Sequence, residues 1–559
     1  MLLTGPTNIR DHLIFLLLLS MSLLQQHTQA VKSAIFVNQQ YQGLNNKRRF
    51  AVKQKIVDAS IRALPANKNS KQPRSLSQAT AQGAGIWSNA FNFRKMADTA
   101  TDPRTGILSF HAKAGNLLSN SGHGPNIDVQ IGYNSIAREN PDGLGYGWSW
   151  NLTHFNLQTN QLTTSTGQSF HLQQHDNGQW YPLYHKLQDI YISGDKKTHF
   201  TITYTNGLRE TLNHDGYETT LEQQDGWSVH FIYKSGTHLL QFITDDQEHR
   251  VIIHHKKNNI TVISRESIGQ PAIVSINKEG GILRSVTLPD YQSNTGPGIY
   301  IRYIGHLIKE VDYPTGLQKL FNYNCADAMK TDIKHGFYNL NLCVVSAETM
   351  NPGAEQPSMT VYYQYSQISA NNHNYLAFNS GLSTLHSSNT DILFEAPATY
   401  TYRTQTDDNL IRNIRTYNKY HLLIDEQKIS DRTGKKLSQV HTFFCDTDTD
   451  NGCAHTSFKD LPVTYSLPLK IVTKLWSNTS EIPSITTQTM QYDSQGLIIK
   501  HTDIFGRSTQ IHYCPESGDS ACPAIPSGWL FTTLNESVTT FPATTTIPLP
   551  PPVTIHNHS

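Results

Sequence analysis

A chain of 559 residues exceeds one ordinary domain, and 45 Lys+Arg against 44 Asp+Glu leave it a net charge of +1, with no basic footprint for nucleic acid and no acidic tail. Charged residues make up only 16%, below the roughly 25% of ordinary globular chains. With 10% aromatic residues and a mean hydropathy of −0.45, that composition excludes a polytopic membrane protein and a chain disordered over most of its length.

The chain opens on a run of apolar and small residues, Leu13 to Leu24, behind Arg10 and His12. Twelve residues are too few to span a bilayer, which needs about 20, but they suit the apolar region of a signal peptide. Thr28 and Ala30 supply small residues at −3 and −1, so residues 1–30 read as a signal peptide. The chain is expected to be secreted, or periplasmic before release, with no membrane span apart from that peptide. Residues 31–85 are polar and without period, a loosely ordered leader.

From Trp87 the pattern changes. Ile127, Val129, Ile131 and Tyr133 alternate with Asp128, Gln130 and Gly132, a period of two that predicts a half-buried strand. Similar alternation recurs at 110–113, 201–204, 227–233, 251–254, 260–263, 299–303, 361–365 and 511–513. Between these runs fall the turn signals Asp142-Gly143, Asn206-Gly207, Asp225-Gly226, Gly280-Gly281 and Pro314-Thr315-Gly316. No long stretch carries a helical period, and the fold class is all-β. Past Thr539 the Pro/Thr-rich run, with Pro548 to Pro552 at its centre, reads as a linker or truncated tail over 539–559.

The six cysteines fall as three near neighbours: Cys325 and Cys343, Cys445 and Cys453, Cys514 and Cys522. Six cysteines allow 15 pairings, and proximity favours the local set, closing hairpins in an oxidising compartment. No CxxC occurs, which speaks against a zinc knuckle or a thioredoxin-like site.

Internal similarity organises the rest. Tyr492-Asp493 leads through Gly496-Leu497-Ile498 and Gly506-Arg507 to Ile511-His512-Tyr513. Looser copies run from Tyr303 to Tyr323 and from Tyr233 to Ile253, each an aromatic–turn–strand–turn–strand unit of about 20 residues that buries its face only by stacking on neighbours. A second block is more specific: Asp102-Pro103-Arg104-Thr105-Gly106, then Gly124-Pro125 before the Ile127 strand. It continues with Asp142 through Leu152, carrying Gly143, Gly145, Gly147, Trp148 and Trp150, and with the turn at Thr166-Gly167.

This order resembles the N-terminal shell region of bacterial RHS/YD-repeat toxins and, more loosely, the shell components of insecticidal toxin complexes. The resemblance covers roughly 87–533. It implies a strand-rich RHS-associated domain over 86–225 that continues into a curved YD-repeat sheet over 226–538. Such proteins enclose a C-terminal toxic domain in a hollow β-shell. This chain carries no terminal DPxGxxxGxNxYxY-type signature and no effector segment, so architecture carries over and toxicity and self-cleavage do not. The expected role is a secreted, non-enzymatic shell or scaffold fragment that pairs with a second shell subunit or a toxin effector. The rival readings are a surface adhesin that binds carbohydrate through exposed aromatics and a degenerate remnant.

Sites of chemistry are sparse. Asp446, Asp448 and Asp450 stand at alternate positions before Gly452, oxygen ligands that could wrap Ca²⁺. Position twelve of that loop is Ser457 rather than Glu, and Cys445 and Cys453 bracket it, so a solvated acidic hairpin tip is the competing reading. No other cofactor is called for. No HExxH, GxSxG or phosphate loop occurs, and no catalytic residue is assigned.

Overall fold

Strands form wherever the alternation predicts them, and hairpin turns fall on the Gly-containing dipeptides between them. The computed structural model describes residues 99–541 and the strand Val553–His556, except 138–139, 141, 177, 265–270, 288–297, 327–328, 333–340, 366–370, 383–390, 450–451, 478–479, 519–521, 523 and 531. The expected signal peptide and leader lie outside the described residues.

Two sheets result. The small one is antiparallel, from β1 (Thr99–Thr101), β2 (Leu108–Leu117), β3 (Ile127–Asn134) and β4 (Trp148–Trp150) in that order. Ile127, Val129, Ile131 and Tyr133 are all buried while Asp128 is exposed, the half-buried pattern expected. The large sheet is an antiparallel meander from His154–Asn156 to Val553–His556, each strand pairing with the next along the chain. Among the described residues no ladder joins its last strand to its first, so the sheet is open. The ladder runs without interruption from Glu218–Gln223 to Ser228–Tyr233. The tail also differs from a pure linker: Val553–His556 pairs with Leu534–Thr540, as a Val-Thr-Ile run of β-branched residues favours.

The small sheet packs on the large one between residues 228 and 345. Phe110, Ile131, Tyr133 and Trp148 meet Phe231, Ile243, Val262, Ile276 and Val311 in one core. β1 is tied in by polar contacts: buried Lys319 donates to Thr99 Oγ1 at 2.5 Å and lies 3.3 Å from Glu348, which also accepts from Thr101. Farther along, across Lys436–Phe444, Pro468–Leu475 and Ser484–Tyr492, the apolar cluster shrinks to Val440, Ile471 and Met490, with Tyr492 beside it.

The repeated tyrosine has a specific place. Tyr233, Tyr303, Tyr323, Tyr417 and Tyr513 each sit at a register shift, where a bulge adds local twist to the sheet. Tyr233 and Tyr323 then donate their hydroxyls to backbone carbonyls fifteen residues earlier, Glu218 O at 2.9 Å and Ile308 O at 2.6 Å. The ring packs into the core and the hydroxyl satisfies a carbonyl of a neighbouring strand. Tyr233 and Tyr323 therefore each clasp the two strands of one hairpin.

Candidate functional site

The block Asp102 to Gly106 forms a buried turn closed by its own hydrogen bonds. Asp102 accepts from Arg104 N at 2.8 Å and Thr105 Oγ1 at 2.8 Å, and Gly106 N closes the turn onto Asp102 O. Gly106 has φ +70°, and a Cβ there would lie 2.5 Å from Val344 Cβ, so only glycine fits. Burial pushes the Asp102 carboxyl above the usual carboxylate range, against the opposing pull of Arg104.

Arg104 crosses from this turn to a distant part of the large sheet. Its Nη1 donates to His421 O at 3.1 Å, and its guanidinium lies 5.5 Å from the centre of the Tyr417 ring. His421 is held by Asp391 through Nε2 at 3.1 Å and faces Tyr402 OH at 3.0 Å through Nδ1. Asp391 also caps the short helix Ile392–Glu395 by accepting from Leu393 N. An Asp–His–hydroxyl arrangement of this kind would suit proton transfer if substrate could reach it. All three side chains are buried, Asp391 at 1% and Tyr402 at 0% exposure, so the arrangement holds segments together.

A second polar cluster joins the first strands of the large sheet, in 153–165, to its strands at His199–Tyr204, Leu208–Asn213 and Glu218–Gln223. Glu210 accepts from Ser165 Oγ at 3.1 Å and Tyr204 OH at 2.8 Å, and Glu218 accepts from Thr153 N at 2.8 Å. Burial raises both carboxyls, and the charge of Glu210 raises Glu218 further. Folding has thus brought two carboxylates together, but at 3% and 1% exposure they are closed to substrate. Nearby, burial pushes Asp142 up to about 7, opposed by the bond it accepts from Trp150 N at 2.9 Å.

The Gly-Trp block packs as its composition implies. Gly145 has φ +132° and approaches the backbone of Leu283, where a Cβ would lie 3.1 Å from Leu283 N. Trp148 packs edge-on to Phe110 and donates from Nε1 to Tyr303 OH at 3.0 Å. Trp148 and Trp150 are buried and offer no surface to a sugar.

The acidic loop is closed by the Cys445–Cys453 disulfide, and Cys325–Cys343 and Cys514–Cys522 complete the three local pairs. Asp446 accepts from Asp448 N at 2.8 Å and Thr449 Oγ1 at 3.1 Å, and those bonds hold its carboxyl below the usual range. One candidate calcium ligand is therefore engaged by its own turn. Asp448 is exposed and accepts from Thr447 Oγ1 at 3.4 Å. Asp450 lies outside the described residues. Among the described residues no three His, Cys, Asp or Glu side chains converge on a metal-sized point.

Asp391, His421, Glu210 and Glu218 carry no motif or spacing that announces them. Chain reversals bring them to their partners over separations from 6 residues for Tyr204 and Glu210 to 65 for Thr153 and Glu218.

No family model matches the chain, and no curated protein matches it. Among solved structures it is similar to a TcdB2-TccC3-Cdc42 complex, at 11% identity and a TM-score of 0.33 over 80% of this chain and 22% of that one. It is also similar to a Photorhabdus luminescens Tc holotoxin pore, at 8% identity and a TM-score of 0.20 over 78% of this chain and 27% of that one. A porin-like protein from Bacteroides uniformis matches at 10% identity and a TM-score of 0.14, over 63% of this chain and 93% of that one. The chain spans about a fifth of the length of the first of these. Similarity at this level assigns no function.

Proposed function

We propose that the chain is a secreted, non-enzymatic wall segment of a toxin-associated scaffold, which binds a second shell subunit or an effector. One observation carries the reading. Ile424 and Phe444 still pack with Phe394, Tyr420, Leu461 and Tyr465, but from residue 484 on the large sheet has little packed against it. In Ser508–Tyr513 and Leu534–Thr540 both alternating sets of side chains are partly exposed, and the cluster at Val440, Ile471 and Met490 is small. A single layer of strands buries too little apolar surface to hold itself, and an open edge invites another strand. Strands of this kind are completed by a partner. The order of the Asp102–Gly106 and Gly143–Trp150 blocks supports the toxin-shell assignment, and the closed-off carboxylates at Glu210, Glu218 and Asp391 suit a structural role.

Hydrogen exchange on the isolated secreted chain tests this. Amides of 484–540 should exchange faster than those of 228–345, and sedimentation should show association with itself or with the product of a neighbouring gene. A strictly monomeric chain with uniformly protected amides would overturn it.

A further inference from the structure

Polar and aromatic side chains share one face of the large sheet between Gly298–Ile304 and Met359–Gln364. Ile301, Val311 and Phe321 are buried in the core against the small sheet, so the residues alternating with them face away from it. There the register sets Tyr300 beside Asp312, Asp312 beside Gln318 and Gln318 beside Asn351, one residue from each of four adjacent strands. The next row along the strands runs Arg302, Glu310, Leu320, Thr349 and Thr360. Gln318 Nε2 donates to Glu310 Oε1 at 2.5 Å and to Asp312 Oδ1 at 3.0 Å, and Asn351 Nδ2 donates to Gln318 Oε1 at 3.0 Å. Arg302 pairs with both carboxylates, and the Thr349 and Thr360 hydroxyls bond to each other at 2.9 Å.

Two exposed rings bracket this network. Tyr300 is 57% exposed, and Tyr362, two residues beyond Thr360 and so on the same face, is 47% exposed. Four strand steps separate them, about 20 Å at the spacing of a sheet. The Tyr300 ring leans along the sheet over Gly298, where a Cβ would lie 3.3 Å from its Cε2 and Cζ atoms. Gly298 is not in the left-handed region, so what its missing side chain provides is room for the ring.

Rings at both ends, with carboxylate, amide and hydroxyl groups fixed between them, complement a sugar chain. Its C–H faces stack on tyrosine, and its hydroxyls both donate and accept. Adjacent strands lie about 4.8 Å apart, close to the rise per residue of an extended pyranose chain. Arg302 is held by two carboxylates, which leaves the field without the free cations that a phosphate or sulfate polymer needs. Between the two rings the apolar side chains are half-buried Leu320 and buried Ala347, too few for the core of a protein interface. We propose that this face binds a neutral, extended β-linked polysaccharide. Tyr300 and Tyr362 are its stacking platforms, and Asp312, Gln318 and Asn351 hydrogen-bond its hydroxyls.

Retention of the full-length chain on insoluble cellulose, chitin and β-1,3-glucan is the test. The chain should be held by at least one of them, equally at low and high salt, because the ligand carries no charge to screen. Tyr300→Ala with Tyr362→Ala should lower affinity for that polymer by about tenfold or more, and Tyr300→Phe should keep most of it. Gly298→Val should weaken binding by lifting the ring while the unfolding midpoint stays level or rises, since valine suits a strand better than glycine. That split separates a binding role for the ring from a structural one. Tyr191→Ala, at a tyrosine 45% exposed on Ile190–Gly194, should bind like the parent. Passage of the folded chain through all three polymers overturns the proposal, as does retention that salt abolishes or that the Tyr300 and Tyr362 variants leave unchanged.

Discussion

The stretch of large sheet from 228 to 345 and the stretch from 423 to 540 are built from the same hairpins, yet they are stabilised differently. In the first, strand after strand places one apolar set in contact with the small sheet, and Val251, Ile260, Val262, Ile276 and Val286 are fully buried. In the second, the apolar clusters are small, Ile424 and Phe444 with Phe394, Tyr420, Leu461 and Tyr465, and Val440 with Ile471 and Met490; elsewhere threonine, glutamine and lysine occupy both faces, and polar ladders take over. Asp425 gathers Gln427 Nε2 at 2.7 Å, Gln439 Nε2 at 2.6 Å and His441 Nδ1 at 3.5 Å, and Arg415 pairs with Glu426 at 2.8 Å. Backbone pairing is thus common to both, whereas a second sheet laid across it is not. Hairpin repetition alone propagates a sheet, and what covers it sets its stability.

That contrast can be broken at its strongest point first. Trp148→Ala removes the centre of the two-layered core and should cost about 4 kcal/mol in denaturant unfolding, against about 2 kcal/mol for Met490→Ala in the single layer. Similar losses at the two sites would erase the distinction. Arg104→Ala leaves Asp102 buried without its neighbouring cation and the His421 carbonyl without its donor, and should cost about 3 kcal/mol. The same loss should release protection in 401–424 as well as around the 102–106 turn, which hydrogen exchange would show.

The two regions should also answer pH in opposite senses. Asp142 has a folded value raised to about 7, so its favourable contribution is complete at low pH and fades as pH rises. The slope is about 1.4 kcal/mol per pH unit between about 4 and 7. Asp142→Asn should flatten that loss, measured as the difference between variant and parent at pH 5 and pH 8. Burial raises Asp425, but hydrogen bonds from His441, Gln439 and Gln427 outweigh it and hold the carboxyl low. Its contribution is therefore present above the ordinary aspartate range and fades on acidification, and Asp425→Asn should blunt the acid limb. The smallest effect is expected at the clasp. Tyr323→Phe keeps the ring and deletes one bond to a buried carbonyl, about 1 kcal/mol, and a neutral result would mean that water replaces the hydroxyl.

Much of this architecture was readable in the chain. Alternation located the strands because one face of each is buried, and the Gly dipeptides located the turns because those positions require positive φ. The three disulfides followed from proximity. What stayed hidden depends on contacts across the sequence. Arg104 meets His421 more than three hundred residues away, and Glu210 and Glu218 look like ordinary polar strand positions until the segment at 153–165 covers them.

The position of the small sheet at the start of the described chain has a consequence for biosynthesis. Its four strands are complete by residue 150, but the surface that covers them is not finished until about residue 345. At ordinary translation rates the ribosome needs roughly 10–40 s to add those intervening residues. During that interval Phe110, Tyr133 and Trp148 have nothing to lie against, so the nascent chain presents its stickiest surface early and conceals it late. A holdase acting on the emerging chain, or translocation before the hairpins can pair, would carry it through that gap.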